Sequence, residues 1–392
     1  MNELRRKIEA EIRERGPIPL SRYMELCLYD PEFGYYSRHA AQFGKAGDFY
    51  TSSDVHAVFG RLLARQFDEM WRALGLPSAI TLKELGPGRG LFAQDVLDWS
   101  EKKFPEFFRA VRYELIEQSP ALRARIEQTL ARHVASGKAV LVGHQNPHPS
   151  TGPGQALART EHASNGAPED LPTICFANEF FDAIPVAVVS ARGSLRIDAR
   201  DGRFIETWIP ASGDELEFLD RYSIHPEEGE RVEIPLRSQV EMQGACDFER
   251  GFVMVIDYGY TREEQLAGRH RGTLKAIRQH SVGANPYEAP GEQDITADVN
   301  FTALAASAEQ RGFRTQKLIT QSQFLMGIGE ANQFADAFED CRLPQERAKV
   351  ALQLKHLVTP AGMGESFHVL IASRGIAAEK ASSLAGLSFG RR

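Results

Sequence analysis

A glycine-rich turn is the feature that most limits how this chain can fold. The turn, residues 84–90 with the sequence ELGPGRG, follows the apolar segment Ile80–Leu85 and precedes residues 91–99, whose apolar side chains have helical spacing. Glycine accepts positive φ angles and has no Cβ atom, so the backbone can turn sharply and approach a ligand closely. A strand, a glycine turn and a helix in this order are typical of doubly wound α/β domains. The turn therefore predicts an α/β fold with a mostly parallel sheet.

The spacing of the glycines favours one class of ligand over another. Dinucleotide-binding turns have the pattern G-x-G-x-x-G and hold a pyrophosphate at the helix N-terminus. Here the pattern is G-x-G-x-G, and an acid stands two residues before the first glycine. This variant resembles the first motif of class I methyltransferases, whose ligand S-adenosylmethionine (SAM) has a cationic amino group and no phosphate. An NAD site and a turn that only packs the helix on the sheet remain alternatives. The residues that we predict to bind SAM here are Glu84, Gly86, Pro87, Gly88 and Gly90.

Acidic and amide side chains follow three further predicted strands at their carboxyl ends. An acid at Glu117 can accept hydrogen bonds from both ribose hydroxyls, and Asn178 follows another strand of the predicted sheet. Ligands of open α/β sheets lie at this edge, so we assign both residues to the cofactor. Each residue alone would more often be a helix cap or a solvated loop residue. The candidate catalytic residues at the same edge are Glu179, Asp182 and Asp257.

These acids predict a cationic methyl acceptor. Methyl transfer needs a nucleophile that is aligned with the methyl group and has an exposed lone pair. A guanidinium group is charged at physiological pH, and Glu179 with Asp182 or Asp257 in support could clamp it. A small-molecule acceptor is one alternative, and a non-catalytic assembly or binding protein that has kept the fold is another.

The chain is similar to the MidA-type methyltransferases, bacterial relatives of the mitochondrial complex I assembly methyltransferase. The matching segments lie in order along the chain: 29–31 (YDP), 33–36 (FGYY), 47–52 (GDFYTS), 84–90 (ELGPGRG), 178–185 (NEFFDAIP), 257–259 (DYG), 272–274 (GTL) and 290–296 (PGEQDIT). The resemblance implies a SAM-binding core with a helical N-terminal part. In mitochondrial members it implies protein arginine methylation on a core subunit of respiratory complex I.

The resemblance also implies that residues 47–52 and 294–296 lie near the site. Asp48 and Thr51 are therefore predicted cofactor residues, although residues 51–53 could equally cap the helix that follows. The family usually continues its last motif as T-A-H-V-D-F. This chain has Asp298 in place of the histidine and Asn300 in place of the aspartate. The role of these two positions is left open.

Composition narrows the classes of function. A net charge of −7 argues against general nucleic-acid binding, which needs basic surface. The four cysteines lie far apart, which predicts neither a zinc site nor a disulfide framework and indicates a reducing compartment. The N-terminus lacks a signal-peptide pattern and no apolar run could cross a bilayer. We expect a cytoplasmic bacterial protein with a protein substrate, no membrane insertion and no metal.

Three parts are expected along the chain. Residues 1–75 form a helical N-terminal region, and residues 76–376 form a Rossmann-like class I methyltransferase core. The core has insertions at 144–170, 186–250 and 260–300, of which 186–250 includes a β-rich segment. Residues 377–392 are expected to be a disordered tail.

Overall fold

The computed structural model describes residues 2–38, 57–143, 171–278, 281–282, 285–330 and 332–389. Within these residues the helices are α1 (Glu3–Arg15), α2 (Leu20–Tyr29), α3 (Tyr35–Arg38), α4 (Ala57–Ala73), α5 (Leu91–Lys103), α6 (Pro105–Ala110), α7 (Pro120–Thr129), α8 (Ala131–Ala135), α9 (Gly213–Tyr222), α10 (Leu236–Ala245), α11 (Arg262–Leu266), α12 (Phe301–Gln310), α13 (Gln321–Glu330), α14 (Ala335–Phe338), α15 (Pro344–Val358) and α16 (Ala378–Ser382).

The strands in the same residues are β1 (Ile18–Pro19), β2 (Ile80–Leu85), β3 (Val111–Ile116), β4 (Ala139–Val142), β5 (Thr173–Asn178), β6 (Ala187–Ser190), β7 (Gly193–Arg200), β8 (Arg203–Ile209), β9 (Val232–Ile234), β10 (Gly251–Tyr260), β11 (Lys275–Arg278), β12 (Ser281–Val282), β13 (Asp294–Thr296), β14 (Val299–Asn300), β15 (Arg314–Thr315), β16 (Ile319–Thr320) and β17 (Phe367–Arg374).

The main sheet has the order β15-β17-β10-β5-β2-β3-β4. Strands β10, β5, β2, β3 and β4 run parallel, and β17 runs antiparallel beside β10. Strand order reverses next to β2, which is the position where open α/β sheets form their ligand crevice. This arrangement confirms the predicted doubly wound α/β fold with a mostly parallel sheet.

The helices α4 and α5 cover one face of this sheet with aromatic side chains. Phe92 of α5 stacks on Phe176 of β5, with ring centroids 4.7 Å apart, and Phe67 of α4 meets the same ring edge-on. The two helices cross closely because α4 has a glycine at the crossing: a Cβ atom on Gly60 would lie 2.6 Å from the Asp95 Cβ. This packing holds the glycine turn, which lies between β2 and α5, on a rigid base.

The expected helical region 1–75 is divided between two cores. Helices α1 and α2 pack on the inserted sheet β1-β7-β6-β9, with Leu4, Ile8 and Tyr23 buried against Ile197. Strand β1 pairs antiparallel with β7. Helix α4 belongs instead to the core of the main sheet. The N-terminal helices and the 186–250 insertion therefore form one layer, because each buries the apolar face of the other.

The end of the chain differs from the disordered tail that we expected. Helix α16 and the turn Ala385–Leu387 pack on the main core, with Leu384 and Leu387 buried. The Gly386 N–H donates to the Gln66 side chain of α4 at 2.9 Å. The prediction overlooked the apolar side chains between the polar residues of this segment, which join the main core. Residues 390–392 lie outside the described residues.

Among the described residues, no helix combines the length and apolar character needed to cross a bilayer.

Candidate active site

The glycine turn has left-handed backbone at each of its three glycines, with φ angles of 64° at Gly86, 52° at Gly88 and 76° at Gly90. A Cβ atom on Gly86 would lie 2.8 Å from the ring of Phe180, so this glycine makes room for a side chain of the protein. A Cβ atom on Gly88 would have no neighbour within 4 Å. The space for a ligand is therefore at Gly88, in the middle of the turn.

Glu84 lies beneath the turn and is almost fully buried, with 4% of its surface exposed. The Tyr113 hydroxyl donates to its Oε2 atom at 2.8 Å. Burial raises the pKa of Glu84 to about 8, against a lowering effect of this hydrogen bond. The carboxyl is therefore mostly protonated at neutral pH until a cation approaches it. Its pairing with the amino group of the ligand stays a prediction.

Glu117 lies directly after β3, beside the glycine turn. The Gly86 N–H donates to the carbonyl of Ile116 at 3.2 Å, which ties the turn to the end of β3. The Glu117 Oε1 atom accepts a hydrogen bond from the Ser119 N–H at 2.8 Å. The carboxylate is thus fixed at the sheet edge next to the open space of the turn, as a ribose-binding acid requires.

The loop after β5 carries an asparagine and a glutamate with constrained geometry. Glu179 has a φ angle of 49°, which is rare for a residue with a side chain. Such backbone persists where surrounding contacts hold it, often at functional sites. The Asn178 Nδ2 atom donates to the Glu179 Oε1 atom at 3.2 Å. The buried Asn178 Oδ1 atom has no hydrogen-bond partner among the residues that the structure describes.

Asp257 holds this loop from the neighbouring strand and is fully buried. Its Oδ2 atom accepts hydrogen bonds from the backbone N–H groups of Phe180, Phe181 and Asp182 at 3.0–3.3 Å. Its Oδ1 atom accepts from the Tyr258 N–H at 3.0 Å. Burial, with the nearby charges of Asp182 and Glu179, raises the pKa of Asp257 well above its usual range. We expected Asp257 to support the acceptor directly, whereas these contacts make it a positioning residue for the loop.

Asp182 is the buried acid of this loop with an oxygen left over for a ligand. The Tyr258 hydroxyl donates to its Oδ2 atom at 2.5 Å. The Oδ1 atom is buried and has no hydrogen-bond partner within the described part of the chain. Burial raises the pKa of Asp182 to about 6, and the bond from Tyr258 opposes the rise. Asp182 is therefore mainly ionised at neutral pH.

The predicted site residues did not include three residues that lie near the acids: Tyr29, Tyr36 and Asp294. The Tyr29 hydroxyl donates to the carbonyl of Ala183 at 3.0 Å, directly after Asp182. The Tyr36 hydroxyl donates to the Asp294 Oδ1 atom at 3.2 Å. All three lie in segments that carried the family resemblance, and that was the only sequence signal for them.

The two departures from the family motif have local explanations. Asp298 pairs with Lys275 at 2.7 Å and contacts the His270 ring nitrogen at 3.1 Å. Asn300 caps α12: its Oδ1 atom accepts from the Ala303 N–H, and its Nδ2 atom donates to the carbonyl of Tyr222. The exchanged residues therefore hold the ends of β14 and α12 in place.

Two predicted residues, Asp48 and Thr51, lie outside the described residues, as does the whole 144–170 insertion. Among the described residues, no group of three or more histidine, cysteine, aspartate and glutamate side chains could hold a metal ion.

A comparison with protein families shows which family the chain belongs to and which cofactor that family uses. The profile of a family described as S-adenosyl-L-methionine-dependent methyltransferase matches residues 62–319, which is more than half of the 392 residues. The chain belongs to this methyltransferase family. The match spans the glycine turn, Glu117, the loop after β5 and Asp257.

Solved structures and characterised relatives agree with the assignment. A methyltransferase-type protein from Burkholderia thailandensis, solved with S-adenosylhomocysteine bound, is 28% identical and superposes with a TM-score of 0.80, covering 98% of this chain and 94% of its own. The Drosophila melanogaster homologue of the mitochondrial protein arginine methyltransferase NDUFAF7 is 30% identical, and the alignment covers 96% of this chain and 86% of that protein. The human NDUFAF7 protein is 26% identical, and the alignment covers 93% of this chain and 81% of that protein.

The methyltransferase therefore uses SAM, as the turn predicted. Its residues fit this ligand: a Cβ atom on Gly88 would meet no neighbour, and the carboxyl groups of Glu84 and Glu117 beside the turn could pair with an amino group and a ribose. The individual contacts remain predictions.

Proposed function

We propose that this methyltransferase transfers the methyl group to a guanidinium nitrogen of an arginine side chain in a protein. The observation that carries the proposal is the pair of buried oxygens at the end of β5. Asn178 Oδ1 and Asp182 Oδ1 both lack a hydrogen-bond donor among the described residues. The proposal therefore moves Asn178 from the cofactor, to which its position in the sequence assigned it, to the methyl acceptor. A guanidinium presents five N–H donors and is always charged, so it can satisfy an aspartate and an amide oxygen at once.

The residues of the loop have separate tasks in such a reaction. SAM supplies a methyl carbon that its sulfonium sulfur makes electrophilic. Asp182 and Glu179 orient the guanidinium so that one nitrogen points its lone pair at this carbon. As the nitrogen–carbon bond forms and the carbon–sulfur bond breaks, the nitrogen becomes more acidic, and the Asp182 carboxylate accepts the departing proton. Tyr258 holds Asp182 in place through its 2.5 Å hydrogen bond.

The names of the relatives support an arginine acceptor, because the proteins from fly and human are called protein arginine methyltransferases. We extend the proposal to an acceptor on a core subunit of respiratory complex I, which rests on the family resemblance. A location in the bacterial cytoplasm belongs to the same proposal and rests on the spacing of the cysteines.

The test uses the full chain with SAM labelled in the methyl group and a bacterial lysate. Labelled proteins are hydrolysed, and the amino acids are separated by chromatography. We expect the label in methylarginine, and we expect Asp182→Asn to reduce it at least a hundredfold. The matched control is Asp220→Asn, an exposed acid that pairs with His225 on the inserted layer.

The other outcomes contradict the proposal in distinct ways. Label only in the small-molecule fraction would identify a metabolite methyltransferase. Label in another amino acid would replace arginine as the acceptor. A protein that binds S-adenosylhomocysteine but transfers no label would be a binding or assembly protein.

A further inference from the structure

Two tyrosines of the N-terminal region lie against the acceptor loop. Tyr29 closes α2 and bonds to the Ala183 carbonyl, while Tyr36 of α3 bonds to Asp294 of β13. Their rings are 5.3 Å apart, at an angle of 40°. The hydroxyl groups anchor both rings, so the pair has a defined position beside Asp182.

The exposure of these groups differs from that of ordinary core residues. Tyr29 has 38% of its surface exposed although its hydroxyl is fixed, whereas Asp294 has only 4% exposed. An aromatic face that is held at a partly open surface, beside a buried carboxylate, is an arrangement that attracts cations.

The same carboxylates act on both phenol groups. Burial is the largest cause that raises the pKa of Tyr29, and the negative charges of Asp182 and Asp294 raise it further. Burial is also the largest cause that raises the pKa of Tyr36. The charge of Asp294 raises it further, and the charge of Asp182 has a smaller effect in the same direction. The Ala297 N–H donates to the Asp182 carbonyl at 3.0 Å, so the segment of Asp294 lies beside Asp182 although the two acids are 112 positions apart in the chain. The two phenols stay neutral and cannot act as bases.

We propose that Tyr29, Tyr36 and Asp294 bind the guanidinium of the acceptor arginine together with Asp182. This inference rests on the proposed function, since it assumes an arginine acceptor. The tyrosine rings contact the flat face of the guanidinium, and the two carboxylates accept its N–H groups from the edge. The N-terminal region then selects the acceptor, while the glycine turn binds the methyl donor.

The test measures the affinity of the protein, loaded with S-adenosylhomocysteine, for the peptide acetyl-Gly-Gly-Arg-Gly-Gly-amide by NMR titration. A second peptide has citrulline, a neutral group of the same shape, in place of arginine. We expect the native protein to prefer arginine at least tenfold. We expect Asp294→Asn and Tyr29→Leu each to weaken arginine binding about tenfold and to leave citrulline binding within twofold.

A matched control separates ligand binding from docking of the N-terminal helices. Tyr23 also donates its hydroxyl from this region to the 285–296 segment, at the carbonyl of Pro286, but it is fully buried. Tyr23→Phe should leave the arginine preference unchanged. Affinity for S-adenosylhomocysteine should stay within twofold in every variant.

Each contrary result has one meaning. If the native protein binds the two peptides equally or binds neither, the arginine acceptor of the proposed function is wrong. If the native protein prefers arginine and both variants keep that preference, the role of Tyr29 and Asp294 is wrong while the proposed function stands. A tenfold loss of affinity for S-adenosylhomocysteine in Asp294→Asn would place this residue in the donor site and overturn the inference.

Discussion

Glu117 is the residue on which binding of the donor depends most. A carboxylate that accepts two ribose hydroxyls makes charge-assisted hydrogen bonds, and the loss of such a bond costs about 1.5–3 kcal/mol. We predict that Glu117→Gln weakens binding of S-adenosylhomocysteine tenfold or more in isothermal titration. The control is Glu114→Gln on the same strand, an acid that pairs with Arg112 and should leave the affinity unchanged.

Glu84 allows a prediction about the release of a proton when the ligand binds. Its raised pKa of about 8 means that the acid is mainly protonated in the ligand-free protein at pH 7. If the cationic amino group of the ligand pairs with it, the pKa falls and binding releases a proton. Affinity should therefore increase as the pH rises toward 8 and level off above it.

The release is measured by titration of S-adenosylhomocysteine in buffers that have different enthalpies of ionisation. We expect close to one proton per ligand at pH 7 in the native protein and almost none in Glu84→Gln. Equal heats in all buffers for the native protein would rule out the contact with the amino group and leave Glu84 as the partner of Tyr113 only.

At the scale of elements, the sequence was sufficient to locate the strands of the main sheet but not every strand end. The glycine turn and the buried apolar runs have patterns that differ from their surroundings, and parallel strands bring their carboxyl ends together. Asp257 was expected just after its strand, whereas β10 (Gly251–Tyr260) continues past it. The direction of each side chain could not be predicted, since it depends on contacts between distant segments. Asp257 is the clearest case, because its partners are the N–H groups of a loop that lies more than 70 positions away.

The start of helix α12 is a second case in which the contacts of a side chain could not be predicted from the sequence, and it allows a test of stability. The replacement of an acid by Asn300 raised doubt about function, but Asn300 serves as the N-cap of this helix. We predict that Asn300→Ala lowers the free energy of unfolding by about 1 kcal/mol. Asn300→Ser keeps a side-chain acceptor for the Ala303 N–H without burying a charge and should cost less. If denaturant unfolding shows no difference between Asn300→Ala and the native protein, the cap assignment is wrong.

At the scale of the whole molecule, segments from both ends of the chain complete the structure around the sheet. The N-terminal helices share a core with the inserted sheet, and the C-terminal segment packs on α4. Sequence patterns did not predict these contacts, because helical periodicity shows that a face is buried but not which partner buries it. Only the family resemblance indicated that the segments near Tyr29 and Asp294 share a site.

The C-terminal segment can be tested through one leucine. Leu384 has 3% of its surface exposed and lies in the main core. We predict that Leu384→Ala lowers the free energy of unfolding by about 2–4 kcal/mol, as for other leucines in cores. Leu352→Ala, at a leucine that is 68% exposed, should change it by less than about 0.5 kcal/mol. Equal, small effects in urea unfolding would mean that the segment contributes little to the fold.

The central claim is that the donor lies across the carboxyl ends of β2, β3 and β5, and a crystal structure with S-adenosylhomocysteine tests it most directly. The account predicts ribose hydroxyls on the Glu117 carboxylate, the amino-acid part over Gly88 and the sulfur facing Asp182. A ligand seated elsewhere, or one whose ribose lies away from Glu117, would contradict it.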